Sequence, residues 1–357
     1  MPSAIDIATV AHLDAFDEVI DVRTPSEFAE DHVPGACNCP VLSDAERARV
    51  GTIYKQQSAF MGKKLGAALV ARNIAEHIET RFVDRPRTWR PLVYCWRGGK
   101  RSEALVHILR QIGWDARRLE GGYKAYRRAL REELTQLASR FELRVVCGLT
   151  GSGKSRLLEV LERLGAQVLD LETLAVHRGS VLGSVPDRPQ PSQKMFESRL
   201  WARLRQCDPA RPVFVESESQ RIGVLHVPAE LMSAMWNSRC IRVETNTGAR
   251  VQLLKDEYVH FLADAQALGV QLDRLVQQHG RAVIERWKML AHDAQWDGLL
   301  RELLETHYDP AYTRSIVTHY PRLADAVRVR IDSADDDSFL RAGRALLQEA
   351  VEATTTN

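Results

Sequence analysis

Long apolar runs are missing from this chain of 357 residues. No stretch of 18 apolar residues occurs, so no membrane-spanning helix is expected. Cysteine is sparse: the six present (Cys37, Cys39, Cys95, Cys147, Cys207 and Cys240) are too few for a disulfide framework in a chain this long. That scarcity favours a reducing, cytoplasmic compartment. Only Cys37 and Cys39 lie close together, and no second pair or His-x-His cluster accompanies them, which argues against a structural zinc. The segment from Met1 to Val22 lacks a basic region leading into an unbroken apolar stretch, so a secretory signal is not expected. Internal repeats and low-complexity tracts are also absent.

What remains is a soluble, globular composition, 45% apolar and 27% charged, with length for about two domains. The net charge of +2 conceals an uneven distribution. Between Arg81 and Arg131 there are 14 Lys or Arg against four acids, a local excess of ten. A solvated face is the ordinary explanation of such a run. Because the segment also holds the most reactive-looking cysteine, an anionic partner is expected, and a patch this broad suits a polyanion such as nucleic acid.

The first half alternates short β-like runs with amphipathic helical patterns. Val19, Ile20 and Val22 form a strand-like run before Thr24-Pro25-Ser26-Glu27, a helix-start signal. Pro91 to Tyr94 is a second strand, Ser102 to Ile112 has helical apolar spacing, and Arg118-Leu119-Glu120 is a third strand ending at Gly121-Gly122. Tyr123 to Arg140 is expected to be a helix with a basic face. The second half repeats the alternation: strands at Leu143–Cys147, Gln167–Leu171, Val213–Glu216 and Cys240–Val243, a helix at Lys154–Leu164, and a helical, polar-rich stretch from Arg250 to Glu305. Strands separated by helices imply parallel α/β sheets. The expected organisation is an N-terminal α/β domain over 1–130, a basic helical linker over 131–141, and a second α/β domain with helical C-terminal part over 142–357.

Two loops carry chemistry. Gly148-Leu149-Thr150-Gly151-Ser152-Gly153-Lys154-Ser155 matches the P-loop pattern at every fixed position, between a strand and a helix. Its glycines allow backbone N–H groups to face phosphate oxygens at a helix N-terminus. Lys154 is expected on the terminal phosphate and Ser155 on Mg²⁺. The loop reads phosphates and leaves open what they carry. No [NT]-K-x-D guanine-reading motif exists, and the nearest metal-organising acid is Glu216, at the end of Val213-Phe214-Val215. A diphosphate other than ATP or GTP therefore stays open.

Cys95-Trp96-Arg97-Gly98-Gly99-Lys100-Arg101-Ser102 follows a strand and opens a helix. Backbone N–H groups around such a cysteine favour the thiolate, and Arg97, Lys100 and Arg101 add positive charge. Attack on a phosphate ester and carriage of a sulfur-type atom both use this cradle. Cys147 is expected in the core and the other cysteines are expected to be structural. His32 is expected to stabilise a turn.

Asp21-Val22-Arg23, Pro25-Ser26-Glu27-Phe28, His32-Val33-Pro34-Gly35-Ala36, Tyr94-Cys95 with Gly98 and Arg101-Ser102, and Leu119-Glu120-Gly121-Gly122-Tyr123 together resemble the rhodanese family over about residues 5 to 130. The Cys-to-Arg loop is one residue longer than in most rhodaneses, a spacing shared with dual-specificity phosphatases. Joined to the P-loop, His177-Arg178-Gly179-Ser180 and Glu216-Ser217-Glu218-Ser219-Gln220-Arg221-Ile222-Gly223, the pattern resembles the bacterial tRNA 2-selenouridine synthase family over nearly the whole chain. That resemblance implies an enzyme exchanging the sulfur of wobble (position 34) 2-thiouridine for selenium in tRNAs for Lys, Glu and Gln. It implies geranyl diphosphate and selenophosphate as co-substrates, and an S-geranylated intermediate. On this reading Cys95, Arg97 and Arg101 are catalytic. Gly148, Gly151, Ser152, Gly153, Lys154, Ser155, Glu216 and Arg221 hold the diphosphate, with Ser155 and Glu216 on Mg²⁺. Trp96, Lys100, Lys124, Arg127, Arg128 and Arg131 meet the anticodon stem-loop. No tightly bound cofactor is expected, and the chain is expected to be a monomer, with a selenophosphate-supplying enzyme as a further partner. The alternatives are a cysteine-dependent phosphatase with an ATP-binding P-loop, and a non-catalytic sulfur carrier.

Overall fold

A computed structural model describes residues 7–180 and 182–355. The chain forms two compact units, one of Met1–Leu134 with Glu197–Ala202, the other of Thr135–Phe196 with Arg203–Asn357.

In the first unit, strands β1 (Ile7–Ala8), β2 (Glu18–Asp21), β3 (Cys37–Asn38), β4 (Pro91–Tyr94) and β5 (Arg117–Leu119) form one sheet in the order β1-β5-β4-β2-β3. Every pair is parallel. β4 is buried along its whole length, as a central parallel strand covered on both faces must be. Its core joins Ile20, Val22, Val93, Leu105 and Leu109 with the Phe82, Trp89 and Trp114 rings. The Pro25–Glu30 helix starts on a capping box from Thr24 and Glu27. His32 does stabilise the following turn: its Nδ1 lies 2.8 Å from the Phe28 carbonyl oxygen and its ring stacks on Phe28.

In the second unit, β6 (Leu143–Cys147), β7 (Gln167–Leu169), β8 (Val213–Glu216), β11 (Arg239–Thr245) and β12 (Val327–Ile331) form a sheet in the order β12-β11-β6-β8-β7, again all parallel. Between them β9 (Arg221–Ile222) and β10 (Leu225–His226) make a small antiparallel hairpin. The sheet core contains Val146, Phe214, Ile241, Val243 and Val329, with Leu157, Leu161 and Phe339 from flanking helices. A separate apolar cluster, with Leu272, Ile284, Trp287 and Leu299 fully buried, holds the helical part together.

The helix that starts at Gly122 runs unbroken to Leu137, a 3₁₀ turn covers Ala138–Arg140, and the division between the units falls after Leu134, inside the segment 131–141 expected as a helical linker. The strand β12 had no counterpart in the sequence reading; its alternating Val-Arg-Val-Arg-Ile pairs in register with β11 from Ile241–Val327 to Thr245–Ile331.

Candidate functional site

The cysteine loop closes between β4 and the Lys100–Ile112 helix. Cys95 is buried, and its Sγ accepts hydrogen bonds from the Gly99 N–H at 3.1 Å and the Ser102 hydroxyl at 3.3 Å. Gly122 makes the loop possible. It has φ +57°, and a Cβ there would lie 2.2 Å from the Cys95 carbonyl oxygen and 2.4 Å from the Gly98 nitrogen. The next two residues fasten the loop, Tyr123 N–H to the Cys95 carbonyl at 2.9 Å and Lys124 N–H to the Trp96 carbonyl at 3.1 Å. Below the loop, Arg23 is fully buried. It bonds Asp21 through Nε at 3.0 Å and lies 3.9 Å over the Tyr123 ring, while the Tyr123 hydroxyl donates to Asp31 at 2.7 Å.

The cations around this loop separate into two groups. Arg97, Lys100, Lys124, Arg128 and Arg131 are exposed. Trp96 is half-buried and stacks on Tyr123 with ring centres 5.1 Å apart. Arg101 instead pairs with Glu27 at 3.0 Å. Burial pushes the Glu27 carboxyl up, but Arg101 and Arg47 outweigh it and hold the group below its ordinary value. Arg127 is the clear departure from expectation. It is buried and committed to Glu197, Ser198 and Asp31 within the first unit, so its guanidinium is not available to an RNA phosphate.

The P-loop connects β6 to the Lys154–Arg163 helix. Gly153 has φ +84°, and a Cβ there would meet the Phe339 ring at 2.6 Å. The loop is held from outside. Arg250, buried, donates from Nε and Nη2 to the Thr150 carbonyl at 3.0 and 2.8 Å, and its Nη1 bonds Asp309 at 2.9 Å. The Gly148 N–H donates to the Tyr312 hydroxyl at 2.8 Å, and Thr245 caps the Ser152 carbonyl. Lys154 Nζ folds onto the Gly148 carbonyl at 2.9 Å and lies 5.3 Å over the Tyr312 ring.

A cavity of about 760 Å³ opens over Thr150 to Arg156. Its walls include Glu172, Arg178, Gly179, Glu218, Glu257, Tyr258, Tyr308 and Tyr312. A narrower pocket of about 40 Å³, walled by Leu182, Phe261, Leu268, Trp296, Leu299 and Leu303, shares Thr150, Leu254, Tyr258 and Tyr308 with it.

The carboxylates divide differently from expectation. Ser155 Oγ donates to Glu172 at 2.9 Å, and Glu218 lies beside Glu172: a Cβ on Gly179 would come within 2.9 Å of both. Glu216 does not line the cavity. It is 1% exposed, accepts the Glu172 N–H at 2.9 Å through Oε1, and leaves Oε2 buried with no hydrogen-bond partner. Burial, then Asp170, Glu172 and Glu218, push its carboxyl well above the ordinary range, and through Oε1 it holds the start of the Glu172 helix. Burial followed by Glu172 pushes Glu218 up to about 8, and the same two causes push Glu257 up to about 7. Arg221 also departs: it is exposed on the β9–β10 hairpin, bonded to the Gly223 carbonyl at 2.8 Å. Arg178 supplies a cation that the sequence had left open. It faces the cavity 4.8 Å over the Tyr258 ring, 3.7 Å from Glu257. His177 is buried beside it.

For Mg²⁺, the oxygens of Ser155, Glu172 and Glu218 are a suitable hard donor set, to be completed by phosphate oxygens. Among the described residues, no group of three or more His, Cys, Asp or Glu side chains is arranged to hold a metal by itself. No helix among them is long and apolar enough to cross a membrane.

Residues 8–129 match the rhodanese-like domain, and residues 141–271 match the tRNA 2-selenouridine synthase AAA domain. A tRNA 2-selenouridine synthase of Nitrosomonas europaea is 38% identical over 248 residues, 68% of this chain and 63% of that protein. The protein of that name from Pseudomonas syringae pv. syringae is 33% identical over 324 residues, 82% of this chain and 87% of its own length. Thus the chain spans less than two thirds of the Nitrosomonas relative. Among solved structures, the N-terminal domain of a Clostridium difficile 630 protein described as ATP/GTP binding is 34% identical, with a TM-score of 0.31, over 35% of this chain and 98% of that one.

Proposed function

The chain belongs to the tRNA 2-selenouridine synthase family, and we propose that it replaces the sulfur of wobble 2-thiouridine by selenium in tRNAs for Lys, Glu and Gln, through an S-geranylated intermediate. The observation that carries the donor half is the narrow apolar pocket sharing Thr150, Leu254, Tyr258 and Tyr308 with the phosphate cavity. A ligand filling both has phosphates at one end and hydrocarbon at the other. The pocket has space for roughly three water-sized spheres, which suits the distal isoprene unit of geranyl diphosphate.

In the first half-reaction the thiocarbonyl sulfur attacks C1 of the geranyl chain, and pyrophosphate leaves with the C–O electron pair. Lys154, Arg178 and the P-loop N–H groups stabilise that departing charge. Mg²⁺ held by Ser155, Glu172 and Glu218 would supply further neutralisation of the diphosphate. Geranylation makes the sulfur a thiolate leaving group.

In the second half, the Cys95 thiolate exchanges with a small-molecule disulfide, releasing a thiol and leaving Cys95 as a mixed disulfide. The selenium of selenophosphate attacks Cys95 Sγ, the S–S bond breaks and the thiolate leaves, and water takes the phosphoryl group as phosphate, leaving Cys95 as a perselenide. Its terminal selenium adds to C2 of the base and geranylthiolate departs. A thiol then attacks Cys95 Sγ and cleaves the S–Se bond, releasing the selenonucleoside and restoring the mixed disulfide. The Gly99 N–H and Ser102 hydroxyl that bond Sγ support the thiolate this requires. Exposed Arg97, Lys100, Lys124, Arg128 and Arg131, with Trp96, would carry the anticodon stem-loop.

Nucleoside mass spectrometry tests the proposal, on 2-thiouridine tRNA incubated with protein, Mg²⁺ and geranyl diphosphate, with and without selenophosphate and thiol. A geranylated nucleoside in one tube and a selenonucleoside in the other are expected. No change in either, with folded protein, would discard the transferase reading.

A further inference from the structure

Two cysteines with no part in this chemistry meet at the edge of the first sheet. Cys37 and Cys39 flank Asn38 on and just beyond β3, with sulfurs 3.9 Å apart. Cys37 is partly exposed and donates its thiol hydrogen toward Glu18 Oε1 at 3.2 Å, while Arg85 pairs with the other Glu18 oxygen at 2.8 Å. Cys39 is fully buried, and Arg81 Nη1 lies 3.7 Å from its sulfur while bonding the Asn38 carbonyl at 2.9 Å. One thiol therefore has a carboxylate ready to take its proton, and the other has a guanidinium ready to stabilise its anion.

We propose that Cys37 and Cys39 are a redox-active dithiol, oxidised by hydrogen peroxide to an internal disulfide and restored by a thiol reductant. Cys37 gives its proton to Glu18 and its sulfur attacks a peroxide oxygen. The O–O bond breaks, hydroxide leaves, and Cys37 becomes a sulfenic acid. The Cys39 thiolate then attacks the Cys37 sulfur, the S–O bond breaks, and hydroxide leaves with its electron pair. Each hydroxide takes up one of the two thiol protons, so two thiols and one peroxide give one disulfide and two waters. The Arg81 guanidinium beside its sulfur favours the Cys39 thiolate, as attack needs, while Cys39, burial and then Glu18 hold the Cys37 thiol above its ordinary value, so that its proton leaves only as Glu18 takes it. A disulfide brings the sulfurs to about 2.05 Å. β3 is two residues long and is the edge strand of its sheet, paired to β2 alone.

The tryptic peptide from Thr24 to Arg47 contains Cys37 and Cys39 and no other cysteine, and the peptide from Gln206 to Arg221 contains Cys207 alone. Folded full-length protein treated with peroxide, then alkylated and digested, should lose both alkylatable thiols in the first peptide while Cys207 stays alkylated. Dithiothreitol should restore both. In Cys39→Ala the sulfenic acid on Cys37 should persist long enough for dimedone to trap it, and Glu18→Gln should slow the loss of thiol several-fold. Two free thiols in the wild-type peptide under conditions that oxidise Cys207 would overturn the proposal. So would an over-oxidised Cys37 beside a free Cys39.

Discussion

Single side chains set the chemistry of both loops. Cys95→Ser should abolish selenium incorporation and leave geranylation intact, measured as the two modified nucleosides; selenation surviving in that variant would remove Cys95 as the carrier. Lys154→Ala removes a charged contact to phosphate, so geranyl diphosphate binding by calorimetry should weaken by about 1.5–3 kcal/mol, roughly ten- to a hundred-fold in Kd. Glu218 carries a prediction in pH. Its folded value, about 8, is raised above the ordinary 4.5, so the folded state binds the extra proton. That stability is fully present below about 4.5 and is lost as pH rises through about 8. Glu218→Gln should flatten this descent in melting temperature, and a variant slope equal to wild type would show that the carboxyl is not held protonated. Ionised carboxylates are needed to hold Mg²⁺, so its affinity should rise over the same interval.

At the scale of elements, the loops were legible because their meaning is local. A strand, a glycine-rich turn and a helix start lie within ten residues of each other, and the phosphate or thiolate position follows from backbone geometry alone. Glu218 and Arg178 lie in motifs that the sequence marks, whereas Glu172 and the Arg250–Asp309 pair were not read as parts of the site, because nothing near them in sequence marks them. Arg250 lies 100 residues from the Thr150 carbonyl it holds, and 59 from Asp309. Glu216 was misassigned for a related reason: the end of an apolar strand marks where an acid sits, not which way its carboxyl faces. Of the acids at the end of β8 and just beyond it, Glu218 reaches the cavity and Glu216 is buried away from it. Arg250→Met should show what the clamp is for. It strands the Thr150 carbonyl and Asp309, at a cost of about 3 kcal/mol in chemical denaturation, and it should weaken diphosphate binding. Unchanged stability and affinity would reduce the clamp to a surface contact.

For the molecule as a whole, the basic character of the first unit is partly internal. Arg101 and Arg127 are paired with Glu27 and Glu197 of the same unit, so the charge available to a polyanion is smaller than the sequence excess suggests. The logarithm of tRNA affinity should fall linearly with the logarithm of salt. Lys124→Ala and Arg128→Ala should each reduce that slope by about 0.7–0.9, whereas Arg127→Ala should lower the melting temperature without changing the slope. A slope change on Arg127→Ala alone would place that side chain at the RNA. The composition of the first unit also bears on how the protein is made. Its Asp31 and Arg127 bond to Ser198 and Glu197, from a segment ending at Ala202, 68 residues beyond Leu134. At about 5–20 residues per second of synthesis, the unit emerges from the ribosome several seconds before its last piece exists. During that interval Asp31 has Tyr123 and Arg127 but lacks Ser198, and Arg127 lacks Glu197, which makes the nascent chain a natural client for whatever holds unfinished proteins in solution.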